Sequence, residues 1–449
     1  MRRAALRFGL ALLVVMGLLP GPARADDAPP PPPLPTPIEA LFVPLKEKLQ
    51  ESSLPPFLKD TDLKVHFRSY YFNRTKPDDS KNEAWAFGGW VGYQSGWLLD
   101  TFQMGATLYG SAPLYSPADR DGTLLLRPEQ LGYYVPGEAW GALKYEDYAL
   151  LKGYRQQVDQ GYINPQDNRM TPNTFEGVTL GGKVSWVKYL AGFLWQIKPR
   201  NSDEFISMSQ QAGAPEGSKN YGVGLFGVRL TPLEGLRVDV QNQYGENTFN
   251  TIFLDGEYVW PLSQNWKLKL GAQFTDQRAV GNALLPKAGG KVYWNTQSGG
   301  ARVQAIYDEL TLTTAFTMTG AGNTIQSPWG SYPGYLSMID QDFDQARQSA
   351  VLVGAAYDAK RFVPGLSGNA NFTWGWDAIS PKTGKHAPDI AEYDFTVDYR
   401  PAFHMPGRIL QGLFQGLWFR ARSAIIDQQD AKTVGYQFRL IINWDRDLI

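Results

Sequence analysis

The 449-residue chain carries 43 basic and 44 acidic side chains, no cysteine, 46 glycines, 14 Trp, 23 Tyr and 23 Phe. Zero Cys excludes a disulfide scaffold, a Cys-based zinc site and a cysteine nucleophile, and the near-balanced charge gives no reason to expect nucleic acid as a partner. Only 19% of residues are charged, yet no stretch beyond residue 25 approaches a helical span; a polytopic helical membrane protein is excluded, leaving a large secreted β-protein or a membrane β-barrel, whose strands are only half apolar.

Residues 1–25 read as an export signal. Met1 to Arg7 is a basic n-region, Phe8 to Leu19 an apolar h-region, and Ala23-Arg24-Ala25 a small-x-small cleavage site. The apolar run is too short to span a bilayer comfortably. Cleavage after Ala25 removes four Arg and no acid, leaving a mature chain of formal charge −5. Residues 26–62 form an extension that opens with seven prolines between Ala28 and Pro37; such a stretch joins no sheet ladder and reads as an extended linker. Ile38, Leu41, Phe42, Leu45 and Leu49 then recur at helical spacing, interrupted by Pro44, which allows a short amphipathic helix.

From residue 63 to 449 the period is two. Leu236, Val238 and Val240 alternate with Arg237, Asp239 and Gln241. Tyr393, Phe395, Val397 and Tyr399 alternate with Glu392, Asp394, Thr396, Asp398 and Arg400. Each strand therefore has one apolar and one wet face, as in a sandwich or a barrel. The predicted strands are 63–72, 84–95, 97–109, 138–146, 148–155, 175–184, 186–197, 221–230, 236–245, 250–260, 266–275, 292–307, 310–318, 349–358, 367–376, 391–400, 415–426 and 433–444. Even-numbered connections are mostly short, as at Ser95-Gly96 and Glu146-Asp147-Tyr148. Several odd-numbered ones are long: 110–137, 156–174, 198–220, 276–291 and 319–348. Short turns at one end and long loops at the other are the signature of an outer-membrane barrel. The fold class is therefore all-β, a transmembrane antiparallel barrel of about 18 strands, wide enough to leave an aqueous lumen.

Side-chain energetics fixes which face is which. Arg420 and Arg422 share one face, opposite Leu417, Phe419 and Ile425. An Arg on the lipid face near mid-bilayer costs roughly 2–4 kcal/mol, so the pair points into the lumen. Tyr93, Trp97, Trp260, Trp266, Trp374, Trp376, Tyr399 and Trp444, near strand ends, are candidates for interfacial girdles.

Two segments stand out, Phe67-Arg68-Ser69-Tyr70-Tyr71-Phe72-Asn73-Arg74 and Asp167-Asn168-Arg169-Met170-Thr171-Pro172-Asn173-Thr174-Phe175-Glu176-Gly177. The first resembles the first-strand signature, and the second the NDSRLLPxTFxG segment, of the OprD family of substrate-selective outer-membrane porins. Looser similarities are Gly334-Tyr335 through Asp342-Phe343-Asp344-Gln345-Ala346-Arg347, Tyr357-Asp358, Val363 to Leu366, Gly416 to Arg422 and Arg439 to Asn443. The resemblance implies a monomeric 18-stranded barrel whose third and seventh loops fold inward. It also implies a column of basic residues guiding carboxylate-bearing solutes such as amino acids or small aromatic acids. By motif position that column comprises Arg169, Arg347, Arg420, Arg422 and Arg439, joined by Arg68 on parity. Arg suits this task because it is always charged and forks to carboxylate oxygens. Opposing acids would complete a field across the pore, with Asp308, Asp340, Asp342 and Asp344 as candidates. Inward charges are routine in wet lumens, so any one of these Arg residues could instead be a salt-bridged wall residue.

Two features depart from the family pattern. Trp444 is followed by Asp445-Arg446-Asp447-Leu448-Ile449, where the family generally ends on an aromatic or apolar strand terminus read by the barrel-assembly machinery, and the extension 26–56 is long. An enzyme is not expected, because the three His (His66, His386 and His404) are unclustered and no G-x-S-x-G elbow is present. No metal or cofactor is expected either. The expected partners are small solutes, outer-membrane lipid and the assembly machinery of a Gram-negative-type bacterium. The competing readings are a general unselective porin and a non-transporting structural or adhesive barrel.

Overall fold

The computed structural model describes residues 47–285, 293–402 and 414–449. The export signal, the proline run and His404 lie outside the described residues, as does most of the helical spacing from Ile38. A one-turn helix, α1 (Pro56–Lys59), precedes the barrel. Gly96 N donates to Phe57 O (3.0 Å), and the Phe57 ring stacks 6.2 Å from Phe102, seating α1 against the first short turn.

Eighteen long strands follow: β1 (Asp62–Thr75), β2 (Lys81–Gln94), β3 (Phe102–Tyr115), β4 (Tyr133–Tyr145), β5 (Ala149–Gln156), β6 (Thr174–Val184), β7 (Val187–Lys198), β8 (Val223–Leu230), β9 (Leu236–Gly245), β10 (Phe249–Pro261), β11 (Trp266–Ala279), β12 (Asn295–Tyr307), β13 (Leu310–Thr319), β14 (Ser349–Asp358), β15 (Leu366–Trp376), β16 (Ile390–Tyr399), β17 (Leu417–Gln428) and β18 (Gly435–Asp447). Each pairs antiparallel with the next, and β18 pairs with β1 from Lys64↔Asp447 to Thr75↔Tyr436. A two-residue strand, Ile206–Ser207, adds to the end of β7. The cylinder is closed, so no long strand is left with an unpaired edge.

Parity separates the faces as the sequence implies. On β18, Tyr436, Phe438 and Leu440 are exposed on the outer wall, whereas Gln437, Arg439 and Asn443 are buried inside. On β16, Tyr393, Phe395 and Val397 face out while Glu392, Asp394 and Thr396 face in. Outside, Trp266 packs 4.7 Å from Tyr307, Trp374 stacks 4.6 Å from Trp376, and Tyr399 stacks 6.5 Å from Phe419, so girdle candidates sit in aromatic contacts near strand ends.

The predicted strands and observed ones part company at β3 and β4. β3 begins at Phe102 instead of 97 and runs on through Pro113; β4 begins at Tyr133 instead of 138 and contains Pro136. Both prolines sit beside register shifts, between Trp85 and Ala86 for Pro113 and between Thr107 and Leu108 for Pro136. A bulge removes the demand for a ladder N–H, which is why proline is tolerated there. The C-terminal departure resolves differently. β18 continues past Trp444 to Asp447, and Leu448 N donates to Leu63 O (2.7 Å), with the Leu448 side chain buried.

The glycine run of β2 is a place of close approach. Gly89 has φ +130°, and a Cβ there would lie 1.9 Å from His66 O. Gly89→Val is expected to destabilise the barrel by about 3 kcal/mol, through positive-φ strain and a backbone clash. Urea unfolding in detergent measures this, and an unchanged midpoint would contradict it.

Two loops enter the cylinder. Loop 3 (157–173) places the Tyr162 hydroxyl 2.8 Å from Thr275 Oγ1 on β11 and Asp167 against Arg68 on β1. Loop 7 (320–348) reaches β10 through Tyr335 OH, which donates to Asp255 Oδ1 (3.0 Å), and β16 through residues 339–341. The loops meet where Asn164 Nδ2 donates to Ser331 O (2.9 Å). Between them and loop 4 (199–222), an apolar cluster of Val158, Ile163, Ile197, Met208, Phe249 and Trp329 fills one side of the bore. The Trp329 and Phe249 rings stack at 4.9 Å, and Trp329 Nε1 donates to Met208 O (2.9 Å). Smaller buried clusters pack loop 7 against Ile390, Ala424 and Ile426, and Leu125, Leu126 and Met170 against Tyr70, Phe72 and Ile441.

Candidate functional site in the lumen

Strand register assembles a basic wall. Phe72 lies beside Arg439, Arg439 beside Arg422, and Arg422 beside Thr396, so residues from β1, β18, β17 and β16 meet at one height. The Phe72 ring carries the guanidinium of Arg439 at 5.3 Å, that of Arg169 at 5.2 Å and that of Arg74 at 5.7 Å. Cation–π attraction of this kind offsets part of the repulsion among like charges.

The arginines differ in what they hold. Arg68, Arg169 and Arg439 are 8%, 7% and 3% exposed. Arg68 donates to Asn443 Oδ1 (2.8 Å), Asp167 Oδ1 (2.9 Å) and Arg169 O; Arg169 donates to Thr123 O (2.8 Å) and Asn168 O (2.9 Å). Arg439 donates to Ile339 O (2.7 Å) and Gln437 Oε1 (3.1 Å). Most of their donors are directed to loop 2 (116–132), loop 3 and loop 7 and to neighbouring wall side chains. Arg420 forks to Asp398 at 2.6 and 3.0 Å, a bidentate pair. Arg422 is half-buried and touches only Thr396 Oγ1 at 3.4 Å, with no carboxylate at ion-pair distance among the described residues. Two unit charges 4 Å apart attract by about 4 kcal/mol at an effective dielectric of 20 and about 1 kcal/mol in water. Arg420 is therefore largely neutralised by its contact pair, whereas Arg422 has no carboxylate in direct contact among the described residues.

Three residues absent from the sequence-based set belong to this region. Arg200, from loop 4, has its backbone N–H held by Asn173 Oδ1 (2.8 Å) and its guanidinium on Asn168 Oδ1. Burial and then the Arg439 charge lower its pKa to about 10, so it remains cationic at neutral pH. Arg200 also lines an open cavity of about 640 Å³ at the long-loop end, with Arg127, Asp203, Gln166 and Asn173. Arg74 pairs with Asp340 at 3.1 Å. Glu392, beside Asp394 on the inner face of β16, meets loop 7. Alternation had put Glu392 on the wet face; Arg74 lies beyond the predicted first strand, at the end of the family-like signature, and nothing periodic marks a loop residue such as Arg200.

Loop 7 supplies the acids. Asp340 faces Arg74, and Asp342 accepts from Ser337 Oγ (2.6 Å); Asp344 forms no ion pair among the described residues. Burial raises the Asp342 carboxyl, against the opposing pull of Ser337 and Arg200; burial and then the Asp342 charge hold Asp344 well above the usual aspartate range. The remaining candidates lie elsewhere. Asp308 is in the short turn after β12, 3.3 Å from Arg361. Arg347 is exposed at the base of loop 7, its Nε donating to Asp377 O (3.2 Å). The structure does not bring either to the basic wall. The far wall is self-paired: Arg237 binds Asp239 and Asp255, and Lys269 and Arg302 bind Glu257 at 2.8 and 3.1 Å.

The raised carboxyls have a pH consequence. As pH falls, Asp342 and Asp344 take up protons before ordinary aspartates do, so negative charge leaves loop 7 while the arginines stay charged. Anion preference is expected to rise as pH falls, beginning above the range where ordinary aspartates titrate, and is read as a shift of reversal potential in a salt gradient. A constant reversal potential would place these acids away from the ion path.

A model of the outer membrane porin, OprD family, matches residues 55–448. The chain belongs to the OprD family of outer membrane porins. Among solved structures, it is similar to Pseudomonas aeruginosa OccK9 (OpdG) with a TM-score of 0.76 and 20% identity, covering 88% of this chain and 100% of that one. It is likewise similar to P. aeruginosa OpdK, solved with vanillate (TM-score 0.75, 20% identity, 87% and 100% covered), and to a BenF-like porin from Pseudomonas fluorescens Pf-5 (0.74, 18%, 87% and 100%). At these identities the likeness concerns the fold. No curated protein matches the chain. As an OprD-family porin it is a channel embedded in the outer membrane, with long extracellular loops and short periplasmic turns.

Proposed function

We propose that this porin passes small carboxylate-bearing solutes, amino acids or small aromatic acids, through a narrow lumen with an arginine-rich wall. The observation carrying the reading is the charge layout. Arg422 and Arg200 present guanidinium groups without an ion-pair partner among the described residues, and loop 7 supplies Asp342 and Asp344. A carboxylate would bind Arg200 first, from the extracellular cavity, and then Arg422. Arg68, Arg169 and Arg439 add to the field from behind while holding the loops. An ammonium group on the same solute would face the loop 7 acids. Several weak sites in series let a solute enter and leave. That OpdK was solved with vanillate, a carboxylate, is in keeping with this reading.

The protein works as a monomer, delivered by the barrel-assembly machinery, and its role is transport and not catalysis. Single-channel recording in a planar bilayer tests the proposal, with millimolar benzoate-type acids or basic amino acids added. Small discrete steps with solute-dependent blocking are expected. Large steps indifferent to solute would mean a general porin, and no current would mean a non-transporting barrel.

A further inference from the structure

We propose that Glu392 and Asp394 are positioning residues that latch loop 7 to the barrel wall and so set the width of the open channel. They stand two apart on β16, on one inner face, 0% and 3% exposed. Asp394 Oδ2 accepts from Ile339 N (2.8 Å), Glu392 Oε1 from Asp340 N (2.8 Å) and Glu392 Oε2 from Gln341 N (2.9 Å). Three successive backbone N–H groups of the loop are thus satisfied by wall carboxylates and by nothing within the loop. Arg439 clamps the carbonyl of the same segment, donating to Ile339 O at 2.7 Å, and Arg74 holds the Asp340 carboxylate at 3.1 Å.

The geometry makes this more than a surface contact. Tyr335 is fixed on the far wall, its hydroxyl on Asp255 and its ring under the Arg302 guanidinium at 4.2 Å. The few residues from Tyr335 to Gln341 therefore form a strap across the lumen, tied at both ends. Leu336, Ile339 and Phe343 add apolar packing against Ala350, Leu352, Ile390, Ala424 and Ile426. Packing of this kind is non-directional and tolerates sliding, whereas three N–H bonds to two fixed carboxylates define one height and one register. Two neighbouring buried carboxyl groups are costly to desolvate, and Asp394 Oδ1 accepts no hydrogen bond among the described residues. An apolar pair in their place would pack the wall without that penalty but would leave the strap's N–H groups unbound. The inference concerns the loop's position and does not depend on which solute passes.

The native chain has no cysteine, so a single introduced thiol reports on the strap. Ile339→Cys is placed in full-length protein reconstituted in lipid, alone and combined with Glu392→Gln, or with Glu392→Leu and Asp394→Leu together. Folded protein is selected by its heat-modifiable migration. Maleimide labelling is expected to be slow in Ile339→Cys alone, intermediate with Glu392→Gln, which keeps one acceptor oxygen, and at least tenfold faster with the leucine pair. Without the thiol, conductance should rise in the same order and break into several levels. Wild-type labelling and conductance in the folded leucine variant would overturn the proposal. A purely structural role would lower the folded yield yet leave the folded channels unchanged, which also overturns it. Should the leucine pair fail to assemble, Glu392→Gln decides alone, because values equal to the parent's reject the latch.

Discussion

Arg422→Gln is expected to lower the flux of small carboxylates about tenfold, equivalent to about 1.4 kcal/mol, while Arg420→Gln lowers it less than about threefold. The asymmetry follows from pairing. Arg420 spends its fork on Asp398 at 2.6 and 3.0 Å, whereas Arg422 has only a 3.4 Å contact to Thr396. Removing Arg420 also frees the Asp398 carboxylate, so the local charge falls by one in either variant. What differs is which charge a solute can approach at full strength. Replacing both should produce the Arg422 effect with a small increment, because neighbours on one strand face do not add independently. Liposome uptake of a labelled aromatic acid measures all three. Equal losses for the two single variants would show that pairing does not govern solute contact, and unchanged uptake in the double variant would remove both from the path.

Excising residues 322–345 of loop 7 is expected to raise single-channel conductance about threefold or more, because a barrel of this strand number leaves an open aqueous channel once its internal loops are gone. The deletion is sterically simple. Thr319 N donates to Gln348 O and Arg347 N to Gly320 O, each at 2.9 Å, so the β13 and β14 ladder continues to the loop base and a short turn can close it. The cut removes Leu336, Ile339 and Phe343 from the inner packing, and leaves Glu392 and Asp394 hydrated instead of bonded. A variant that folds yet conducts like the parent would mean that loop 3 alone sets the bottleneck.

What could be read in advance was whatever a two-residue period or a connection length encodes. Strand number, the inward parity of Arg420 and Arg422, and the inward faces of Arg68 and Arg439 all follow from alternation. Parity fixes a face but neither a height nor a partner. Asp308 sits in a turn at the periplasmic end, and Arg347 at the exposed loop base, each far in the topology from the wall where β1 meets β18. Glu392 and Asp394 were visible as wet-face residues, but their bonds to loop 7 depend on a loop with no period of its own. Arg200 had no signal beyond its charge. At β3 and β4 the observed strands extend through Pro113 and Pro136 beside register shifts, and a bulge is a property of two paired strands of which a single strand's sequence contains only half.

The seam between β1 and β18 has a consequence for how activity arises. Arg68 binds Asn443 across 375 residues of chain, and His66 lies 2.5 Å from Asp445 across 379. These are contacts between the first and last strands, whose loop-closure cost makes them slow to form. The Phe72 platform under Arg439 and Arg169 straddles that same seam. An unclosed sheet could hold every other hairpin and still lack the platform. The basic wall is thus completed in the same event that seals the cylinder, and a half-inserted barrel lacks it.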